Sequence, residues 1–159
     1  MIRLGIMGGT FDPPHLAHLL MAEKALFEYS LDKVLFIPSG NPPHKTYNYV
    51  TSAEDRYSMT LLSISSNPNF YISRIEIDRV GLSYSIDTIE ELRGIYGANA
   101  ELYFIIGMDE ALNINSWHRA NELPKVVRFI IAPRPGFDSA DIRKTLPEAF
   151  SNTFDLLSM

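Results

Sequence analysis

The chain has 159 residues, 14 Lys+Arg against 19 Asp+Glu, a net charge of −5 and no cysteine. That length implies one domain with enough chain to bury a core, and 46% hydrophobic with 21% charged residues excludes bulk disorder. The acidic balance argues against gripping long nucleic acid by bulk electrostatics, and the lack of cysteine excludes a disulfide framework, a thiolate metal site and a cysteine nucleophile.

Residues 2–7 are apolar except for Arg3 and run into Gly8-Gly9, which predicts a buried strand. Residues 16–29 carry apolar side chains at helical spacing, with Glu23, Lys24 and Glu28 elsewhere. Residues 33–37 predict a second strand stopped by Pro38, and the proline-rich residues 38–51 predict a long loop. Residues 52–66 predict a helix with a capping box, because Ser52 stands three positions before Asp55. Residues 70–77 alternate, with a slip at Ser73-Arg74, and predict an extended or bulged strand. Residues 85–96 predict a helix ended by Gly97, and residues 101–106 a strand ended at Gly107. Residues 116–123 predict a short helix ended by Pro124, residues 126–132 a last strand, and the remainder from Asp138 a helix with an unassigned tail. Alternating strands and helices predict an α/β fold with a parallel sheet and helices on both faces, with ligands at the carboxyl ends of the strands. The start of the chain lacks an extended apolar leader, and the apolar stretch at 126–132 is short and interrupted by Arg128, so the expected location is cytoplasmic, away from membranes.

Five clusters carry chemistry. Gly8, Gly9, Thr10, Phe11, Asp12, Pro13, Pro14, His15, Leu16, Ala17 and His18 follow the first strand and open the first helix. Glycines admit a phosphate to the backbone, the helix start supplies free N–H groups, and the prolines suit first helical positions. His15 and His18, spaced i and i+3, share one helix face. A zinc site on His15, His18 and Asp12 is also open, because HxxH on a helix can bind zinc, but spacing places no third ligand. The second cluster, Pro38 to Lys45, stiffens a loop around His44 and Lys45, a lysine being a compact charge for phosphate. Third, Tyr84, Ser85 and Thr88 begin a helix where hydroxyls and N–H groups can either cap it or receive a carboxylate. Fourth, Gly107 and Asp109 follow a strand, and then come Trp117 and His118. Asp109 can hold ribose hydroxyls, and the single tryptophan can stack on a planar ring. Fifth, Arg134 opens a Pro-Gly turn and can meet phosphate.

The first string resembles the GxFDPxHxxH signature of the nucleotidyltransferase superfamily. The PPHK loop, Ala53, Arg56 and Met59, the Ser83-Tyr84-Ser85 segment, the Gly107…Trp117 segment and the Arg134 turn resemble the nicotinate-nucleotide adenylyltransferases, in order, over residues 1 to about 137. The resemblance implies a Rossmann-like fold. It implies adenylyl transfer from ATP to nicotinate mononucleotide, with Mg2+, giving deamido-NAD and pyrophosphate in NAD biosynthesis. Gly8, Gly9, Thr10, Phe11, His15, His18 and Arg134 would then bind ATP. His44, Lys45, Tyr84, Ser85, Thr88, Gly107, Asp109, Trp117 and His118 would bind the mononucleotide. His18, His15 and Lys45 would act in catalysis, and no protein metal ligand is implied.

Two positions depart from the pattern, Ala17 and Ser85 standing where Gly and Thr are usual. The chain is expected to be one nucleotidyltransferase domain, residues 1–159, lacking the family's C-terminal ISSTxxR segment, which holds the triphosphate. A homo-oligomer is allowed and unspecified. The open alternatives are transfer to nicotinamide mononucleotide, phosphopantetheine or a polyol phosphate, a catalytically idle mononucleotide-binding module, and a zinc hydrolase.

Overall fold

Near-continuous apolar strands such as VLFI at 34–37 and LYFII at 102–106 require cover on both faces of a sheet. The computed structural model, which describes residues 1–40, 50–134, 136, 139–150 and 152–158, supplies that cover. Its elements are β1 (Arg3–Gly9), α1 (Leu16–Glu28), β2 (Lys33–Pro38), α2 (Ala53–Ile64), β3 (Phe70–Ile72), α3 (Ser85–Tyr96), β4 (Glu101–Gly107), α4 (Met108–Leu112), β5 (Arg128–Ala132), α5 (Ser139–Thr145) and β6 (Phe154–Leu156), with 3₁₀ turns at Ile114–Ser116, Ala120–Lys125 and Glu148–Phe150. The strands run β3-β2-β1-β4-β5-β6, and every neighbouring pair is parallel.

Side chains divide by strand alternation. Leu4, Ile6, Leu35, Ile37, Phe104 and Ile106 pack with Ile86, Ile89 and Leu92 of α3, Met108 and Ala111 of α4, and Ile142 of α5. Met7, Val34, Phe36, Ile105 and Ile130 pack on the other face with Ala22 and Ala25 of α1 and Ile64 of α2. Strand order reverses between β1 and β4, so the crevice that parallel sheets offer to ligands opens beyond Gly9 and Gly107.

The structure corrects five local expectations. Pro13 and Pro14 lie ahead of α1, whose N-cap is His15, so they lead into the helix and do not form its first turn. The strand expected to reach residue 77 ends after three residues. The Ser73 N–H still donates to the Phe36 carbonyl, but Asp78 N–H then turns back to Arg74 O. The slip at Ser73-Arg74 marked the strand end, because Ile75 joins the core on the opposite side of the sheet from Ile72. The helix expected at 116–123 is instead two short 3₁₀ turns, the second containing Pro124. Pro124 has no N–H to give, and Arg119 at the left-handed φ of 52° breaks any continuous helix. The last inner strand begins at Arg128, two residues later than expected, because Val126 and Val127 still bond back to Leu123 O. Finally, α4 and β6 were unforeseen, each being too short to show periodicity. Among the described residues, no helix is long and apolar enough to cross a membrane.

Candidate active site

At the carboxyl end of β1, Gly8 and Gly9 pair with Ile37 and Pro38 of β2. A Cβ on Gly8 would meet the Phe104 ring at 3.4 Å, and one on Gly9 the Phe11 ring at 3.4 Å, so both glycines admit aromatic rings close to the backbone. Phe11, at φ 52°, turns its ring into the core and meets His18 edge-on at 4.9 Å. His15 caps α1, and its N–H donates to Nδ1 of His18 at 3.1 Å, while the two imidazoles stack at 3.8 Å. Because Nδ1 of His18 accepts, its proton resides on Nε2, which makes Nε2 a donor. Burial first, and His15 second, hold the His18 pKa down at about 4. His18 is therefore a neutral hydrogen-bond donor at pH 7 in the unliganded protein.

Beneath this loop lies Arg56, fully buried and donating to four backbone carbonyls. Nε reaches Thr51 O at 2.8 Å, Nη1 reaches Thr10 O at 2.9 Å and Ser39 O at 2.6 Å, and Nη2 reaches Gly40 O at 3.3 Å. The Asp12 carboxylate accepts the Thr51 N–H at 2.9 Å, and the Ser39 N–H donates to Gly9 O at 2.8 Å. Arg56 belongs to the family resemblance but is not among the site residues that it implies. Its signal was its spacing, because 56, 60 and 64 form the buried stripe of α2, where an arginine is out of place. At the same strand end the Ser39 hydroxyl is buried and has no hydrogen-bond partner among the described residues.

The second half of the site stands on β4. Gly107 is the N-cap of α4, and Asp109 beyond it receives Nη1 of Arg134 on both oxygens, at 2.8 and 2.6 Å. Asp109, Glu110, Asn113, Ser116 and Trp117 line a cleft of about 360 Å³. The Trp117 ring is half-buried and meets Phe104 at 5.9 Å, so Phe104 links this cleft to Gly8. Tyr84, the N-cap of α3, stacks on His118 at 4.2 Å, with Ser85 next to it as the first helical residue. Arg119 holds this wall together by pairing with Asp87 and Glu90 of α3 and with Glu122. The buried Thr88 hydroxyl donates to Glu76 at 2.7 Å and accepts from Arg79 at 2.8 Å. Burial raises the Glu76 carboxyl above its ordinary range.

The structure thus gathers Gly8, Gly9, Thr10, Phe11, His15 and His18 at one side, and Tyr84, Ser85, Gly107, Asp109, Trp117, His118 and Arg134 at the other. Thr88 lies beneath the second group with its hydroxyl already engaged. His44 and Lys45 fall outside the described residues. Among the described residues, no three His, Asp or Glu side chains form a metal cage.

Residues 6–156 match the family model described as Cytidylyltransferase-like. The chain is 52% identical over 145 residues to a probable nicotinate-nucleotide adenylyltransferase of Thermoanaerobacter sp. (strain X514), covering 91% of this chain and 69% of that protein. It is 51% identical over 146 residues to the protein of the same description in Moorella thermoacetica, covering 92% and 67%. The chain therefore spans about two thirds of the length of these curated relatives. In fold, it matches the Plasmodium falciparum nicotinic acid mononucleotide adenylyltransferase complexed with NaAD with a TM-score of 0.83 at 20% identity, over 100% of this chain and 76% of that one.

Proposed function

The chain belongs to the nicotinate-nucleotide adenylyltransferases, within the cytidylyltransferase-like group, and from that premise we propose that it transfers the adenylyl group of ATP to nicotinate mononucleotide, releasing pyrophosphate. The observation that carries this reading is the His15–His18 pair at the start of α1, beside a Gly-Gly strand end at the strand-order reversal. The mononucleotide phosphate is already anionic at neutral pH, so it attacks the α-phosphorus without a general base. Its oxygen bonds to phosphorus as the bond to the pyrophosphate oxygen breaks. What the protein supplies is alignment and charge stabilisation.

In this reading Nε2 of His18 donates to phosphate oxygen, and its imidazole, neutral before binding, gains proton affinity next to the polyanion. His15, stacked on it, donates alongside. Gly8, Gly9, Thr10 and Phe11 form the wall of the ATP site. Arg134 exchanges its bond to Asp109 for phosphate, which frees Asp109 for ribose hydroxyls. Trp117 and the Tyr84–His118 stack border the nicotinate ring, and N–H groups at Ser85 and His118 receive its carboxylate. His44 and Lys45, which follow β2 in the sequence, hold phosphate. Magnesium bound with ATP would supply charge neutralisation at the polyphosphate, needing few ligands from the protein.

The test is pyrophosphate release with ATP and Mg2+, offering nicotinate mononucleotide, nicotinamide mononucleotide and phosphopantetheine in parallel. Release with the nicotinate form alone is the expected result. Equal release with the amide removes the carboxylate assignment. Mononucleotide binding without release leaves a binding module, and neither binding nor release refutes the transferase.

A further inference from the structure

Arg56 faces the core on α2, in line with Thr60 and Ile64, and its residue is 1% exposed. Burial lowers its pKa, and the nearby Asp12 carboxylate opposes that lowering. Its guanidinium makes no direct ion pair among the described residues. It donates to carbonyls of three separate segments: the turn after β1 (Thr10), the end of β2 (Ser39 and Gly40) and the entry to α2 (Thr51). A buried charge is a weak source of stability, because desolvation cancels most of what its contacts contribute. Its geometric effect is specific. A trans peptide sets each carbonyl opposite the next N–H, so drawing Thr10 O and Ser39 O inward turns the N–H groups of Phe11 and Gly40 away from the guanidinium. The strand end it holds also carries the buried Ser39 hydroxyl, which has no hydrogen-bond partner among the described residues.

We propose that Arg56 is a positioning residue for adenylyl transfer, holding Thr10 after β1 and Ser39 and Gly40 after β2 in one floor beneath the reacting phosphates. The proposal rests on the transferase reading. Lysine cannot reproduce the role, because its three donors radiate from one point and lack the planar fork that spans three segments.

The full chain, R56K and R56M are compared by near-ultraviolet circular dichroism, thermal midpoint and steady-state kinetics with ATP, Mg2+ and nicotinate mononucleotide. Calorimetry of mononucleotide binding is run in parallel. R56K is expected to fold, with kcat lowered about 10²-fold and both KM values within about 3-fold, the pattern of misaligned reactants and not of lost binding. R56M is expected to lose at least as much. A folded R56K with kcat within about 3-fold of the parent overturns the positioning role and leaves the transferase reading standing. An R56K that does not fold also overturns it, by making the guanidinium a core strut. A parent chain without turnover removes the transferase reading and this proposal together, and the calorimetry then says whether a binding module remains.

Discussion

His15 and His18 look equivalent in the sequence, two imidazoles one helical turn apart, yet the fold gives them different work. His15 is exposed at the helix cap, whereas His18 is half-buried against the Phe11 ring with Nδ1 already engaged. A depressed pKa has a consequence for stability. Between pH 6.5 and about 4 the unfolded chain binds a proton at this position and the native chain does not. The contribution of neutral His18 is therefore complete above pH 6.5 and is lost as pH falls toward 4. Urea midpoints measured from pH 7.5 to 4.5 should fall less steeply for H18N than for the parent, and an equal slope would mean His18 titrates normally. In the reaction, H18A should lower kcat by about 10²- to 10³-fold, the scale for one donor to developing charge, with the thermal midpoint nearly unchanged.

At the scale of elements, the site is assembled from segments that follow the parallel strands, and side-chain clamps set their spacing. Arg56 ties the β1 and β2 loops to α2, while Arg119 ties the Trp117–His118 segment to α3 through ion pairs that are each partly exposed and individually weak. Gly40 marks a third join. A Cβ there would run into the carbonyl oxygen of Glu76, so the turn after β3 lies directly on the end of β2. That turn in turn holds Thr88 through Glu76 and Arg79. G40A should cost about 1–3 kcal/mol, the range for overpacking against an unyielding backbone, read from denaturant unfolding. It should also raise the KM for the mononucleotide, because the displaced turn carries α3 with it. A G40A variant of parental stability would mean the turn moves freely.

Across the whole molecule, the last strand decides whether the sheet is closed on its β5 side. β6 pairs Phe154 and Leu156 with Phe129 and Ile131, and Arg128 bonds to Asp155 at 2.6 Å. Phe154 is buried in the larger core cluster, and Arg143 of α5 lies over its ring at 5.2 Å. F154A should therefore cost about 3–5 kcal/mol, as other buried phenylalanine truncations do, and expose β5 as an unpaired edge prone to self-association. Urea unfolding and light scattering check both effects. A loss under 1 kcal/mol would show that β5 is held without β6.

Much of this was legible in the sequence, for a physical reason. Binary pattern is local, so β1, β2, β4, α1, α2 and α3 fall within a residue or two of their expected bounds. The Gly-Gly, His-His and Asp…Trp clusters are contiguous strings, and their placement at strand ends follows from the parallel sheet they interrupt. Tertiary structure alone decided the rest. Strand order depends on which faces must be buried together, so nothing in residues 101–107 says that β4 lies against β1. The length of β3 depends on when its chain crosses to the other side of the sheet. The pKa of His18 depends on the Phe11 ring and on His15, and the Asp109–Arg134 pair joins residues 25 positions apart. Arg56 is the clearest case. The sequence placed an arginine on a buried helical stripe, but only the fold brings the carbonyls of Thr10, Ser39 and Gly40 within reach of its guanidinium.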